Sequence, residues 1–176
     1  MCEIEVLHEG KYLGLYQRGN WEFALRPNAA VCATILPITD AVEIVLVEQF
    51  RVPMQSRVIE VPAGLVGDEP EFEGESIADC AGRELLEETG YKAESIIELI
   101  AAPTSAGMTP EITHMFAATG LSKVHEGGGV DGEDISVHVV PLAELDRFLA
   151  TKLAEGLLID FKIHASLYKA KEFGLI

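Results

Sequence analysis

The chain has 176 residues, 48% of them apolar, enough to bury a full core as one domain with at most a small appendage. Thirteen Lys and Arg against 29 Asp and Glu leave a formal charge of −16, which argues against a phosphate-backbone binder of DNA or RNA. An anionic substrate must then be met by local positive charge rather than by the global field.

Cys2, Cys32 and Cys80 form neither a Cys-x-x-Cys pair nor a disulfide framework, so a reducing cytoplasm is expected. Glu3, Glu5, His8 and Glu9 predict no secretory leader, and no apolar run approaches the roughly 20 residues of a membrane span. Residues 3–8, 11–18 and 20–26 read as short strands with turns at Glu9-Gly10 and Gly19-Asn20. Ala30 to Leu36 and Glu43 to Phe50 are β-rich runs around the turn residues Pro37 to Asp40, and Val58 to Val61 is another short strand. An acidic loop and a helix over Glu75–Thr89 follow. Ser95 to Ala101, Ile112 to Ala117 and Ile135 to Val140 supply further strands. From Pro141, at a helix's first position, Leu142, Leu145, Phe148 and Leu149 fit a 3.6 period; Gly156 stops that helix, and Ile159, Ile163, Leu167 and Tyr168 make another. The layout is a mixed α/β fold with an N-terminal antiparallel β-region over 1–29 and a main domain over 30–176.

One helix carries an electrostatic oddity. Glu84, Glu87 and Glu88 fall within one turn, where residues three and four apart share a face and like charges repel by a few tenths of a kcal/mol per pair. Arg83 can pair with Glu87, while Ile77, Ala81, Leu85 and Thr89 provide a buried side, so the acidic side is expected off the core. Gly90 is placed to end the helix in the left-handed region. Carboxylates at this density suit Mg²⁺ or Mn²⁺; a solvated acidic face is the bland alternative.

Glu75, seven residues, then Arg83-Glu84-Leu85-Leu86-Glu87-Glu88-Thr89-Gly90-Tyr91 resembles the signature of the Nudix hydrolases. Val61-Pro62-Ala63-Gly64 resembles the opening of that box in the ADP-ribose/NDP-sugar pyrophosphatase branch. Two features depart from the pattern: Glu69 stands where the family carries glycine, and Gly64 and Glu75 are separated by a longer, acidic loop. The resemblance implies an α/β/α sandwich with a mixed central sheet over about residues 30–170, plus an extra N-terminal β-region used for dimerisation and base contacts. It implies metal ligation by Glu84, Glu87, Glu88 and the Ala63 carbonyl, with Arg83 orienting a glutamate and Glu75 in a supporting place. After the Gly127–Gly129 run, read as a hinge, it implies Asp131 as general base and Glu133 as a further ligand; Glu126, Glu133 or Asp134 are alternatives for the base.

The same resemblance implies substrate contacts. Arg51 at a strand end would meet the diphosphate, with Glu60 nearby in the box approach. The loop Ser105-Ala106-Gly107-Met108-Thr109-Pro110-Glu111 would meet the terminal sugar through its backbone at Gly107 and Met108 and through Glu111. Trp21-Glu22-Phe23-Ala24-Leu25-Arg26 resembles a strand whose ring stacks on the base, often from the partner of a homodimer; a core tryptophan is the alternative for Trp21. The implied activity is Mg²⁺-dependent hydrolysis of ADP-ribose or a related nucleoside diphosphate sugar. GDP-mannose or broad NDP-sugar hydrolysis, a non-catalytic ADP-ribose sensor and sanitising of oxidised nucleotides are the alternatives.

Overall fold

A computed structural model describes residues 3–27, 31–67, 69–130 and 132–176. Short β-forming runs broken near Gly10 and Gly19 fold into β1 (Ile4–Glu9), β2 (Gly14–Arg18) and β3 (Trp21–Leu25), one antiparallel sheet. The chain continues through β4 (Val31–Pro37), β5 (Glu43–Arg51), β6 (Ser56–Glu60), β7 (Ala63–Leu65) and helix α1 (Ile77–Thr89). Then come β8 (Tyr91–Lys92), β9 (Ser95–Pro103), β10 (Ile112–Thr119), β11 (Ser122–Lys123), β12 (Ile135–Pro141), α2 (Leu145–Ala154), β13 (Leu158–Ile159) and α3 (Phe161–Glu172).

The expected mixed sheet is present as two four-stranded halves. One runs β7-β4-β10-β9, with β4 and β10 parallel; the other runs β12-β5-β6-β13, with β6 and β13 parallel. An Ile38–Ile44 bridge links them at the turn between β4 and β5. Period-two alternation sets the layers. Ala33 and Ile35 of β4 pack with Phe116 against Cys80, Ala81 and Leu85 of α1. Leu36 packs with Leu46, Ile59 and Ile163 in a second cluster that also takes in Leu145 and Leu149 of α2. Fully burying side chains of this size contributes roughly 1.5–3 kcal/mol each, so these two clusters hold the sandwich together.

Three boundaries differ from the sequence reading. Pro141 closes the edge strand β12 opposite Glu43, where a missing N–H is tolerated, and a 3₁₀ turn over Leu142–Glu144 precedes α2. Ile159 belongs to β13, paired with Ile59; α3 starts after Asp160, whose side chain accepts from the Lys162 N–H. Glu75 stands before α1 rather than within it, because Ser76 is the cap that accepts from the Asp79 N–H. No helix among the described residues is long and apolar enough to cross a membrane.

Candidate active site

Helix α1 is fixed at both ends. Ser76 caps its start, and Gly90 leaves it at φ 75°, in the left-handed region that glycine enters without strain. With Cys80, Ala81 and Leu85 buried on β4, the acidic turn is directed toward β7 and the loops around it. Glu88 does not stay off the core as expected: it is only 4% exposed, and its Oε2 accepts the Ala63 N–H at 3.2 Å. Glu84 packs so closely on Gly64 that any Cβ there would collide with its carboxylate. A side chain at 64 would therefore have to push the Glu84 carboxylate from its place.

Arg83 organises the cluster. Its guanidinium pairs with Glu84 at 2.7 Å, with Glu87 at 3.1 Å as the i,i+4 spacing predicts, and with Glu75 at 3.0 Å. It also lies 4.0 Å from the Phe72 ring centroid. Phe72 comes from a 3₁₀ turn, Pro70–Phe72, inside the lengthened loop, and the Gly67 N–H of that loop donates to Glu75. The extra residues therefore support Arg83 and Glu75.

Burial and crowding reshape the proton affinities. Glu84 is pushed up to about 7, first by burial, with Glu87 and Glu133 adding to the rise against the pull of Arg83. Glu88 is raised well above the usual carboxylate range by burial and then by Glu84. Glu75 goes the other way: burial raises it, but the Arg83 hydrogen bond and the Gly67 N–H outweigh that and hold it low.

The Gly127–Gly129 run is a clasp rather than the expected hinge. Gly128 N–H donates to the Glu88 carbonyl at 2.8 Å, Gly129 N–H to that of Glu87 at 3.1 Å, and Val124 N–H to that of Gly90 at 2.8 Å. These bonds satisfy carbonyls that a helix end leaves without partners. A Cβ at Gly127, with φ 74°, would strike the backbone of Glu88 and Thr89. Past the clasp, Glu133 enters the same cavity as Glu84, Glu87 and Glu88, its Oε2 accepting the Val130 N–H at 3.1 Å. The other acids go elsewhere: the Glu126 side chain is 95% exposed beside Lys123, and Asp134 pairs with Arg57. Asp131 lies outside the described residues.

The cavity has a volume of about 590 Å³, and Ala63, Arg26 and Arg51 also line it. Arg26 donates to Glu111 at 3.2 Å, and Arg51 to Glu60 at 2.7 Å. Glu60 is buried and its carboxyl raised, by burial first and against the pull of Arg51. Lys162, overlooked in the sequence, completes the cationic lining and pairs with Asp160. It sits in the first turn of α3, where the helix dipole disfavours a cation, and that misplacement was the available signal.

Trp21 is 63% exposed, so it is not a core residue. Its indole N–H donates to the Gly107 carbonyl at 3.2 Å, and Ala24 N–H donates to that of Met108 at 2.8 Å. Trp21, Gly107 and Met108 line a second cavity of about 240 Å³. It lies toward the opposite end of β3 from Arg26.

Buried carboxylates that share a pocket and are raised by burial and by one another form a donor set that a divalent cation would fit. Among the described residues no three acidic, imidazole or thiol side chains stand in a closed cage, with Arg83 engaging both Glu84 and Glu87.

The NUDIX domain model matches residues 27–160. The chain belongs to the Nudix family. With the Arg83–Glu88 signature complete it is a Nudix hydrolase, and enzymes of this family generally use divalent metals. It is 35% identical over 163 residues to an ADP-ribose pyrophosphatase of Bacillus subtilis (strain 168), covering 86% of this chain and 80% of that relative. A methanol dehydrogenase activator of Bacillus methanolicus is 38% identical over 133 residues, 76% of this chain and 66% of the relative. A GDP-mannose pyrophosphatase of Cronobacter sakazakii (strain ATCC BAA-894) is 32% identical over 157 residues, 84% and 71%. The crystal structure of an ADP compounds hydrolase superposes with a TM-score of 0.73 at 20% identity, covering 97% of this chain and 91% of that one. At that identity the superposition speaks for the Nudix fold alone.

Proposed function

We propose that this Nudix hydrolase splits the diphosphate bridge of ADP-ribose or a closely related nucleoside diphosphate sugar, with Mg²⁺, or Mn²⁺ in its place. The observation that carries this reading is the double lining of one cavity: Glu84, Glu87, Glu88 and Glu133 share it with Arg26, Arg51 and Lys162. Acids alone would repel a diphosphate; cations alone would bind it without activating water. Glu84, Glu87, Glu88 and the Ala63 carbonyl would hold the metal, with Glu133 as a further ligand. When bound, the metal supplies charge neutralisation on the phosphate oxygens and a more acidic water. Arg51, held by Glu60, and Lys162 take the diphosphate charge, where a guanidinium fork is well matched. A carboxylate of the 126–134 loop, Glu133 or Asp131, accepts the proton as water oxygen bonds to one phosphorus and the bridging P–O bond breaks. The products are a nucleoside monophosphate and a sugar phosphate.

Trp21 and the Gly107–Met108 backbone would receive the base or the distal sugar, and the Arg26–Glu111 pair joins this region to the metal end. Exposed Ile4, Val6 and Leu15 on the N-terminal sheet support a homodimer built through residues 1–29, and the cysteine usage supports a cytoplasmic setting. GDP-mannose is the second reading, favoured by the relatives of that activity.

The deciding experiment is a turnover panel of ADP-ribose, GDP-mannose, UDP-glucose and an 8-oxo purine triphosphate with Mg²⁺ and with Mn²⁺. The reading expects ADP-ribose to lead. A preference for the triphosphate would overturn it, and binding of ADP-ribose without turnover would make the chain a sensor.

A further inference from the structure

Outside the cavity, one polar cluster is built more elaborately than packing needs. Glu48 is buried on β5 and takes three partners: Arg57 Nε at 2.7 Å, His138 Nε2 at 3.0 Å and Lys152 Nζ at 3.1 Å. These contacts hold its carboxyl below the usual range against the opposing effect of burial. Arg57 then reaches across β5 in the other direction. Its Nη1 donates to Asp134 Oδ2 at 2.8 Å and its Nη2 to the Asp134 carbonyl at 3.4 Å. Asp134 directly follows Glu133 and directly precedes β12.

We infer that Arg57 is a positioning residue that pins the Asp134 end of the loop carrying Glu133, while the glycine clasp on α1 pins the other end. This rests on the proposed role of Glu133. The loop is held at Gly128 and Gly129 by the carbonyls of Glu88 and Glu87, and at Asp134 by a guanidinium that Glu48 already orders. Between the two anchors Glu133 is held to Val130, its N–H donating to the Val130 carbonyl and its Oε2 accepting the Val130 N–H, both at 3.1 Å. The Asp134 side chain is 80% exposed, so its contact with Arg57 adds little to stability and matters for where Glu133 stands rather than for whether the chain folds. Arginine suits the task because its planar fork serves two carboxylates at once, which a lysine ammonium does less well.

The test measures kcat, KM and melting temperature for Asp134→Ala, Arg57→Lys, Arg57→Gln, the double variant Arg57→Gln/Asp134→Ala and, as reference, Glu133→Gln. The substrate is the one that leads the turnover panel, with Mg²⁺. Asp134→Ala removes the side-chain acceptor of Arg57 Nη1. Misplacing a reacting group by about 1 Å costs up to about a hundredfold, so Asp134→Ala should lower kcat on the order of tenfold with KM and melting temperature nearly unchanged. Arg57→Lys should retain more activity than Arg57→Gln, and the double variant should be no slower than Arg57→Gln alone, because the two residues act as one contact. Asp134→Ala leaves the Glu48–Arg57 pair intact, so it carries the test even if Arg57→Gln unfolds. Wild-type kcat in Asp134→Ala beside a slow Glu133→Gln overturns the tether alone. Wild-type kcat in Glu133→Gln overturns the reading of Glu133 and the tether with it.

Discussion

Stripped of divalent ions, this protein should become more stable as the pH is lowered from 8 to 6, the reverse of the usual carboxylate behaviour. Glu84 titrates at about 7 when folded against an ordinary value of 4.5. The folded chain therefore keeps a proton that the unfolded chain gives up. The resulting stability is fully present below pH 4.5 and is lost as pH rises through 7. The full difference is about 3 kcal/mol, of which about 1 kcal/mol falls between pH 8 and pH 6. For a chain of this length that is a rise of about 2–4 °C in melting temperature. Glu88 and Glu60, also raised, add in the same direction, while Glu48 and Glu75 are lowered and titrate below the window. A divalent ion needs both carboxylates ionised, so adding Mg²⁺ should stabilise more at pH 8 than at pH 6. Scanning calorimetry in chelator, with and without added Mg²⁺, reads both effects, and Glu84→Gln should reduce the chelator slope. A melting temperature that is level or rises from pH 6 to pH 8 in chelator, or a Glu84→Gln variant that keeps the slope, would refute the reasoning.

Glu88→Gln should cut turnover by about a hundredfold or more while folding normally, since the amide oxygen can still accept the Ala63 N–H; near-normal activity would remove Glu88 from the metal site. Gly64→Ala should displace the Glu84 carboxylate and weaken Mg²⁺ dependence, measured as a raised half-activating Mg²⁺ concentration; an unchanged value would mean Glu84 does not serve the metal from its present position. Trp21→Ala should raise KM with stability changed by about 0.5 kcal/mol or less, because the ring is exposed; a large loss of melting temperature would return Trp21 to a structural role.

Much of the acidic helix was legible in order along the chain. The Glu84–Glu88 spacing and the Gly90 stop are local rules of one helix, and local rules survive in any fold that keeps the helix; the Ser76 cap, one residue past the expected start, follows the same kind of rule but was not read. The family resemblance rested on the same residues and was upheld by the match over residues 27–160. What failed were judgements needing a neighbour from elsewhere. Glu88 was expected off the core because helical periodicity cannot report that the Ala63 N–H would meet it. The Gly127–Gly129 run was read as a hinge because glycine signals freedom until a helix end takes up its N–H groups. β7 and β13, at three and two residues, are too short to carry a period and exist only through their partners β4 and β6.

By itself, then, the sequence determined the identity and spacing of the acidic turn, its arginine and its glycine stop, since these depend on contacts within a few residues. The tertiary structure decided what that turn faces. It brought Lys162, Arg51 and Glu133 to one cavity from three distant parts of the chain, turned Phe72 of the lengthened loop onto Arg83, and left Trp21 exposed. Those placements are set by sheet register and helix packing, which sum over the whole core and have no signature in any single stretch.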